Sequence, residues 1–132
     1  MTQKDKELLL KDIYARIPYG VKGCCEDETF CTTPLQWYAE NTLEYSVNYM
    51  VIKNGWRPYL FPLSSMTEEQ FDEFFAYFHD VEMKEIETSG DYLKAAYLGE
   101  NAKRDWLNKN HFDYHYLIPM GLANDATGLN IY

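Results

Sequence analysis

Residues Leu43 to Leu63 read LEYSVNYMVIKNGWRPYLFPL, and the fold turns on how this stretch is taken. Leu43, Tyr45, Val47, Tyr49 and Val51 alternate with Glu44, Ser46, Asn48, Met50 and Ile52. A period of two predicts a strand with its odd-numbered face turned to a core. The strand runs into Asn54-Gly55, a pair suited to a type I′ turn because both central positions need positive φ. The returning strand is then Trp56 to Leu63, with Val51 opposite Pro58 and Tyr49 opposite Leu60. Pro58 and Pro62 have no N–H to give a ladder, so this strand is expected at an edge.

The flanks supply helices. Leu9, Leu10, Ile13, Tyr14 and Ile17 fall on one stripe of a helix over Lys4 to Ile17, which Pro18 ends. Tyr19 to Cys25 is expected as a strand, turning through Glu26-Asp27-Glu28 into a second around Thr29 to Thr32. Thr33-Pro34-Leu35-Gln36 matches a capping box, leading either to a helical turn through Trp37 and Tyr38 or to an extended loop. Thr67 with Gln70 forms another capping box, stapled by Met66 and Phe71, and opens a helix over about 68–80. Its buried stripe is expected to be Phe71, Phe74, Phe75 and Phe78. Tyr92 to Tyr97 suggests a short helix before Gly99, and Asn101 a further one to about Asn110. Residues 119–132 read as an irregular tail held by Leu122, Leu129, Ile131 and Tyr132. The expected class is α+β in one domain: an N-terminal helix, a small antiparallel sheet centred on the 43–63 hairpin, and C-terminal helices packed on one face.

The 132 residues are 46% hydrophobic and 25% charged, as in ordinary globular chains. The first twelve residues lack the apolar core of a secretory signal, and no run approaches the ~20 apolar residues that span a bilayer. Both points lead to the expectation of a cytoplasmic protein with no membrane partner. Three cysteines, Cys24, Cys25 and Cys31, read as reduced thiols. The net charge is −9, and nearly all of it lies in Met66 to Asp91, where nine acids face the single base Lys84. That balance argues against a nucleic acid and for either a solvated helix face or a surface that steers a basic partner.

Three runs carry a resemblance: LLLKDIYARIPYGV (Leu8–Val21), WRPYLFPLSSMTEEQ (Trp56–Gln70) and DWLNKNHFDYHYLIPMGLA (Asp105–Ala123). They resemble a group of short proteins of gut-dwelling anaerobes and their phages for which no activity, cofactor or catalytic residue is established. The resemblance implies a cytoplasmic accessory protein, either phage-derived or host-encoded. Relatives in that group often carry arginine at the position of His115, so it assigns His115 no role.

Motifs for chemistry are sparse. No Gly-rich phosphate loop, nucleophile elbow or zinc-protease signature is present. His111 and His115 have H-x3-H spacing and could join Cys24, Cys25 and Cys31 in a zinc site, but the cysteine spacings do not suit one. The bland alternative has His111 capping a helix end, His115 on the surface and His79 at the end of the acidic helix. The paired carboxylates Glu68, Glu69, Asp72 and Glu73 fall on an exposed helix side, whereas hydrolase chemistry needs inward-facing ones. Neither a catalytic residue nor a cofactor is assigned. The aromatic content of 17% exceeds what a core this size hides with every tyrosine hydroxyl satisfied. Tyr38, Tyr45, Tyr59, Tyr92, Tyr97, Tyr114 and Tyr116 cannot all be inside.

The leading expectation is therefore a non-enzymatic interaction protein. It would use Glu68, Glu69, Asp72 and Glu73, with Trp56, Arg57 and Tyr59, against a protein with a basic surface. The first alternative is a small-molecule, nucleotide-like pocket between the sheet and the C-terminal helices, lined by Trp106, His111, Asp113 and Tyr114. The second is an oligomeric structural component joined through a strand edge.

Overall fold

The computed structural model describes residues 1–25 and 47–132, which form two compact units. One contains residues 1–63 and 111–132; the other is the 64–110 insertion. The expected elements over 26–46, including the second strand at 29–32 and the 33–38 capping box, lie outside the described residues. The class is α+β.

In the first unit, helix α1 spans Gln3–Arg16. Thr2 caps it, its hydroxyl accepting from the Asp5 amide while Asp5 accepts from the Thr2 amide. Leu9 and Ile13 are fully buried, as the stripe predicts. So are Asp12 and Arg16 on the same face, which the stripe does not predict. A 3₁₀ turn at Ile17–Tyr19 contains Pro18 and closes on Gly20 in the left-handed region. Strand β1 is only Gly23–Cys24.

The first arm of the expected hairpin is not a strand where it is described. Residues 47 and 48 are helical, and Tyr49–Lys53 continues as a wide π turn. The alternation was ambiguous: Val47 and Val51 satisfy period two but also stand four apart, on one helical face, and both are buried. Asn54 has φ −91 and ends the π turn, its amide bonding the Tyr49 carbonyl; Gly55 at φ +68 follows. Asn-Gly here stops a helix instead of turning a hairpin, since glycine is also the residue a helix end favours.

Strand β2, Arg57–Pro62, organises the sheet. It pairs antiparallel with β1 (Gly23 opposite Pro58) and parallel with two further short strands. These are β3, Phe112–Asp113, and β4, Asn124–Asp125. The sheet is thus mixed, not antiparallel, and β2 is its hub, not an edge. The amides of Tyr59 and Phe61 donate to the Lys22 and His111 carbonyls, while Leu60, pointing the other way, accepts from the Ala126 amide. Pro58 and Pro62 share the direction of Leu60. Their missing N–H groups flank a ladder only two residues long on that side. Leu9, Ile13, Val21, Val47, Val51, Trp56, Leu60 and Leu117 form the core. The tail is largely irregular, as expected, but contributes β4.

The second unit is a helical hairpin: α2, Glu68–Ser89, and α3, Tyr92–Lys109. Thr67 and Gln70 form the expected capping box. Helix α2 runs nine residues past its expected end before Gly90 stops it, so His79 lies mid-helix, stacked on Phe75. Helix α3 is one continuous helix through Gly99, not two. Gly99 is buried, and a side chain there would meet that of Glu82. Ala95, Gly99, Ala102 and Trp106 make the buried seam of α3, with Phe74 against Trp106 at 5.1 Å. Small residues at three of those four positions allow close approach of the helices.

Candidate functional site

Two regions hold chemistry. The first, in the β2 unit, is built on α1. Asp12 and Arg16 stand one turn apart, both at 0% exposure. Arg16 Nε donates to Asp12 Oδ1 at 2.6 Å and Nη2 to Oδ2 at 3.1 Å. The same Nη2 donates to the Phe112 carbonyl at 2.6 Å, tying α1 to β3. His115 Nδ1 lies 2.7 Å from Asp12 Oδ2, and the Tyr114 ring covers the guanidinium at 5.0 Å. Burial pushes the Asp12 carboxyl up, but hydrogen bonds and charge from His115 and Arg16 more than offset it and hold the pKa below its ordinary value. Arg16 Nη1 is buried without a partner among the described residues. The arrangement can fix an imidazole and carry a buried ion pair.

Beside it lies His111, 8% exposed, with the left-handed φ of +63. Burial, aided by the charges of Arg16 and Lys22, pushes its pKa down to about 4. Its ring stacks on Tyr132 with centroids 3.5 Å apart. The Tyr132 hydroxyl donates to the Tyr59 carbonyl at 2.7 Å and accepts from the Lys22 amide at 2.9 Å. Burial pushes that phenol up to about 12.

The second region is the hairpin. Helix α2 has no fully buried residue. Phe74 and Phe78 are half-buried, but Phe71 (55%) and Phe75 (47%), expected inside, are exposed. So are Tyr77, Met83, Tyr92 and Tyr97, and Leu93 reaches 86%. Glu68, Phe71, Asp72 and Phe75 share one helical face by spacing, whereas Glu69, Glu73 and Asp80 share another. Two of the cations nearby are engaged, Lys94 with Glu85 at 3.0 Å and Lys103 with Glu100 at 2.8 Å and over the Phe78 ring.

The expected site residues divide accordingly. Glu68, Glu69, Asp72 and Glu73 are exposed on α2. Trp56 and Tyr59 are not surface aromatics: Trp56 is wholly buried and Tyr59 nearly so. Arg57 spends Nη1 on the Val51 and Trp56 carbonyls. His111, Asp113 and Tyr114 come together in the β2 unit but already serve the fold. Asp113 accepts the Leu117 and Ile118 amides with its two oxygens, at 2.8 and 2.9 Å. Trp106 belongs to the hairpin seam. The His111–His115 segment is not helical, so the two rings do not share a helix face. No group of three or more metal-ligating side chains occurs among the described residues; Cys31 lies outside them. No helix of the described residues is long and apolar enough to cross a membrane.

Sequence reasoning missed Asp12 and Arg16, and it gave Tyr132 only the part of holding the tail. The first two had a signal: an Asp and an Arg four apart, on the stripe of Leu9 and Ile13. The partners of Tyr132 had none. Compared with known protein families, curated proteins and solved structures, this chain matches none.

Proposed function

We propose that this chain is an interaction protein of the cytoplasm, and that its α2–α3 hairpin docks a protein partner with a basic surface. The observation that carries the reading is the exposure of Phe71, Phe75, Tyr92, Leu93 and Tyr97 on a hairpin dense in carboxylates. Scattered exposed apolar residues are ordinary, but large aromatics concentrated on one short element mark contact surfaces. Glu68 and Asp72 border Phe71 and Phe75 on the same face, which suits a partner presenting Lys or Arg around an apolar pocket. The acids supply long-range attraction and the aromatics the buried area. A phage accessory protein that binds and disables a host defence protein is the setting that the sequence resemblance favours.

The test is affinity capture followed by direct titration of the purified partner. Binding should weaken steeply from low to moderate salt, because exposed charges are screened beyond ~10 Å at 0.1 M. Glu68→Lys with Asp72→Lys, and separately Phe75→Ala with Leu93→Ala, should each weaken it at least about tenfold. Salt-independent binding that survives both double variants would refute the reading. A solution mass well above 15.6 kDa with no captured partner would favour the assembly component instead.

A further inference from the structure

Beyond the buried Ala126, whose amide bonds the Leu60 carbonyl, the segment 127–132 is held to the β2 unit chiefly by the side chain of Tyr132. Residues 127–130 are exposed. Tyr132 is 39% exposed too, but its ring is held on one face, along one edge and at the hydroxyl. One face stacks on His111, interplanar angle 13°. An edge tilts against Phe61 at 5.9 Å. The hydroxyl takes one hydrogen bond from the Lys22 amide and gives one to the Tyr59 carbonyl. Lys22 Nζ sits 5.8 Å from the ring centroid and bonds the Ile131 carbonyl. Stacking platform, backbone donor, backbone acceptor and nearby cation together recognise a hydroxylated ring, as a small-molecule pocket does with few placed polar groups.

His111 is costly for a residue that only pads a tail. Its backbone is left-handed, which a non-glycine residue adopts under strain. Its Nδ1 is buried with no hydrogen-bond partner among the described residues. A phenylalanine would stack equally well without an orphaned nitrogen. Tyr132 thus leaves one imidazole nitrogen of the site unmet. Beside the ring an open groove of about 410 Å³, lined by Phe61, Ala126, Gly128, Asn130, Ile131 and Tyr132, gives the ring space to leave and a ligand a way in.

We propose that the slot bounded by His111, Phe61 and the Lys22 and Tyr59 backbones is a binding site for a planar aromatic ring bearing a phenolic hydroxyl, with Tyr132 as its intramolecular occupant. A free phenolic ligand competes with the tail, so its apparent affinity is lowered by the fraction of molecules in which the tail stays docked. The inference concerns the β2 unit alone and does not depend on the role of the helical hairpin.

The experiment is calorimetric titration of p-cresol into the full chain, into a chain ending at Ala126, and into Tyr132→Phe, with toluene as the control ligand. His111 ring protons are followed by NMR. The shortened chain should bind p-cresol at least about tenfold more tightly than the full chain, with Tyr132→Phe between them. Toluene should bind the shortened chain at least about tenfold more weakly than p-cresol, since it leaves the Lys22 amide and Tyr59 carbonyl unmet. The His111 protons should shift on p-cresol binding. Should the shortened chain fail to fold, Tyr132→Gly in the full chain opens the same slot. A folded variant that ignores p-cresol, or binds toluene as well, overturns the proposal. So does a dimer in which a second copy's tail fills the slot.

Discussion

Replacing Asp12 with alanine tests the buried ion pair directly. In the native protein Arg16 has 0% exposure, and two of its three hydrogen bonds among the described residues go to the Asp12 carboxylate, Nε to Oδ1 and Nη2 to Oδ2, while His115 shares Oδ2. The third goes to the Phe112 carbonyl. Without Asp12, the guanidinium keeps its full charge, away from water, with that one carbonyl as acceptor. Breaking a buried pair from one side costs about 3–5 kcal/mol. A domain of this size has roughly 5–15 kcal/mol in all. Asp12→Ala should therefore bring the β2 unit near the edge of folding. The assay is urea denaturation followed by far-ultraviolet dichroism and by tryptophan fluorescence, to which the buried Trp56 contributes. Asp12→Leu with Arg16→Met removes both charges and should recover most of the loss, because a well-packed apolar pair often matches a buried ion pair. The double-mutant cycle should give a coupling of several kcal/mol. A single-variant loss below about 1 kcal/mol, the worth of a surface pair, would refute the reasoning. So would a double variant worse than both singles.

Acidification should act in two separate windows. His111 is pushed down from 6.5 to about 4 in the fold, so its contribution is present above pH 6.5 and is lost as pH falls from 6.5 towards 4. The full difference is about 3 kcal/mol, at 1.36 per pH unit, and His111→Phe should flatten that part of the stability curve in denaturant titrations at fixed pH. Asp12, held below its usual 3.8, contributes above that value, and the contribution disappears only as pH drops through its lower folded pKa. Gly23→Ala should cost roughly 1–3 kcal/mol in chemical denaturation, because its new methyl would meet the Trp56 ring and the Arg57 carbonyl, neither of which can swing aside. Thr67→Ala should remove about 1 kcal/mol by deleting the cap of α2, visible as lower helical signal at moderate urea concentration.

The parts of the fold written in local patterns were readable. The α2 capping box depends on two residues three apart, and both hydrogen bonds form. The α1 stripe depends on helical spacing, and Leu9 and Ile13 are buried. What failed depends on partners remote in sequence. Val47 and Val51 fit two periods at once, and tertiary packing chose the helical one. The place of β2 was unreadable because its partners, Phe112–Asp113 and Asn124–Asp125, are two-residue strands with no periodicity to detect. The four phenylalanines from Phe71 to Phe78 gave a correct helix but too broad a buried face, because small residues of α3 leave contact with only a narrow stripe. Of the candidate site, the acidic face was legible from charge alone. The slot around Tyr132 was not, since Lys22, Tyr59, Phe61 and His111 meet only through the sheet.

The parallel pairing of Phe61 with Phe112 has an architectural consequence. Adjacent strands lie about 4.8 Å apart, so the fold itself clamps together the two points where the 64–110 segment leaves and rejoins the chain. Such a segment is a cassette. Another helical pair with matching ends could be spliced in its place while the β2 framework kept its hydrogen bonds. Selection could then rewrite the surface of the hairpin without renegotiating the core.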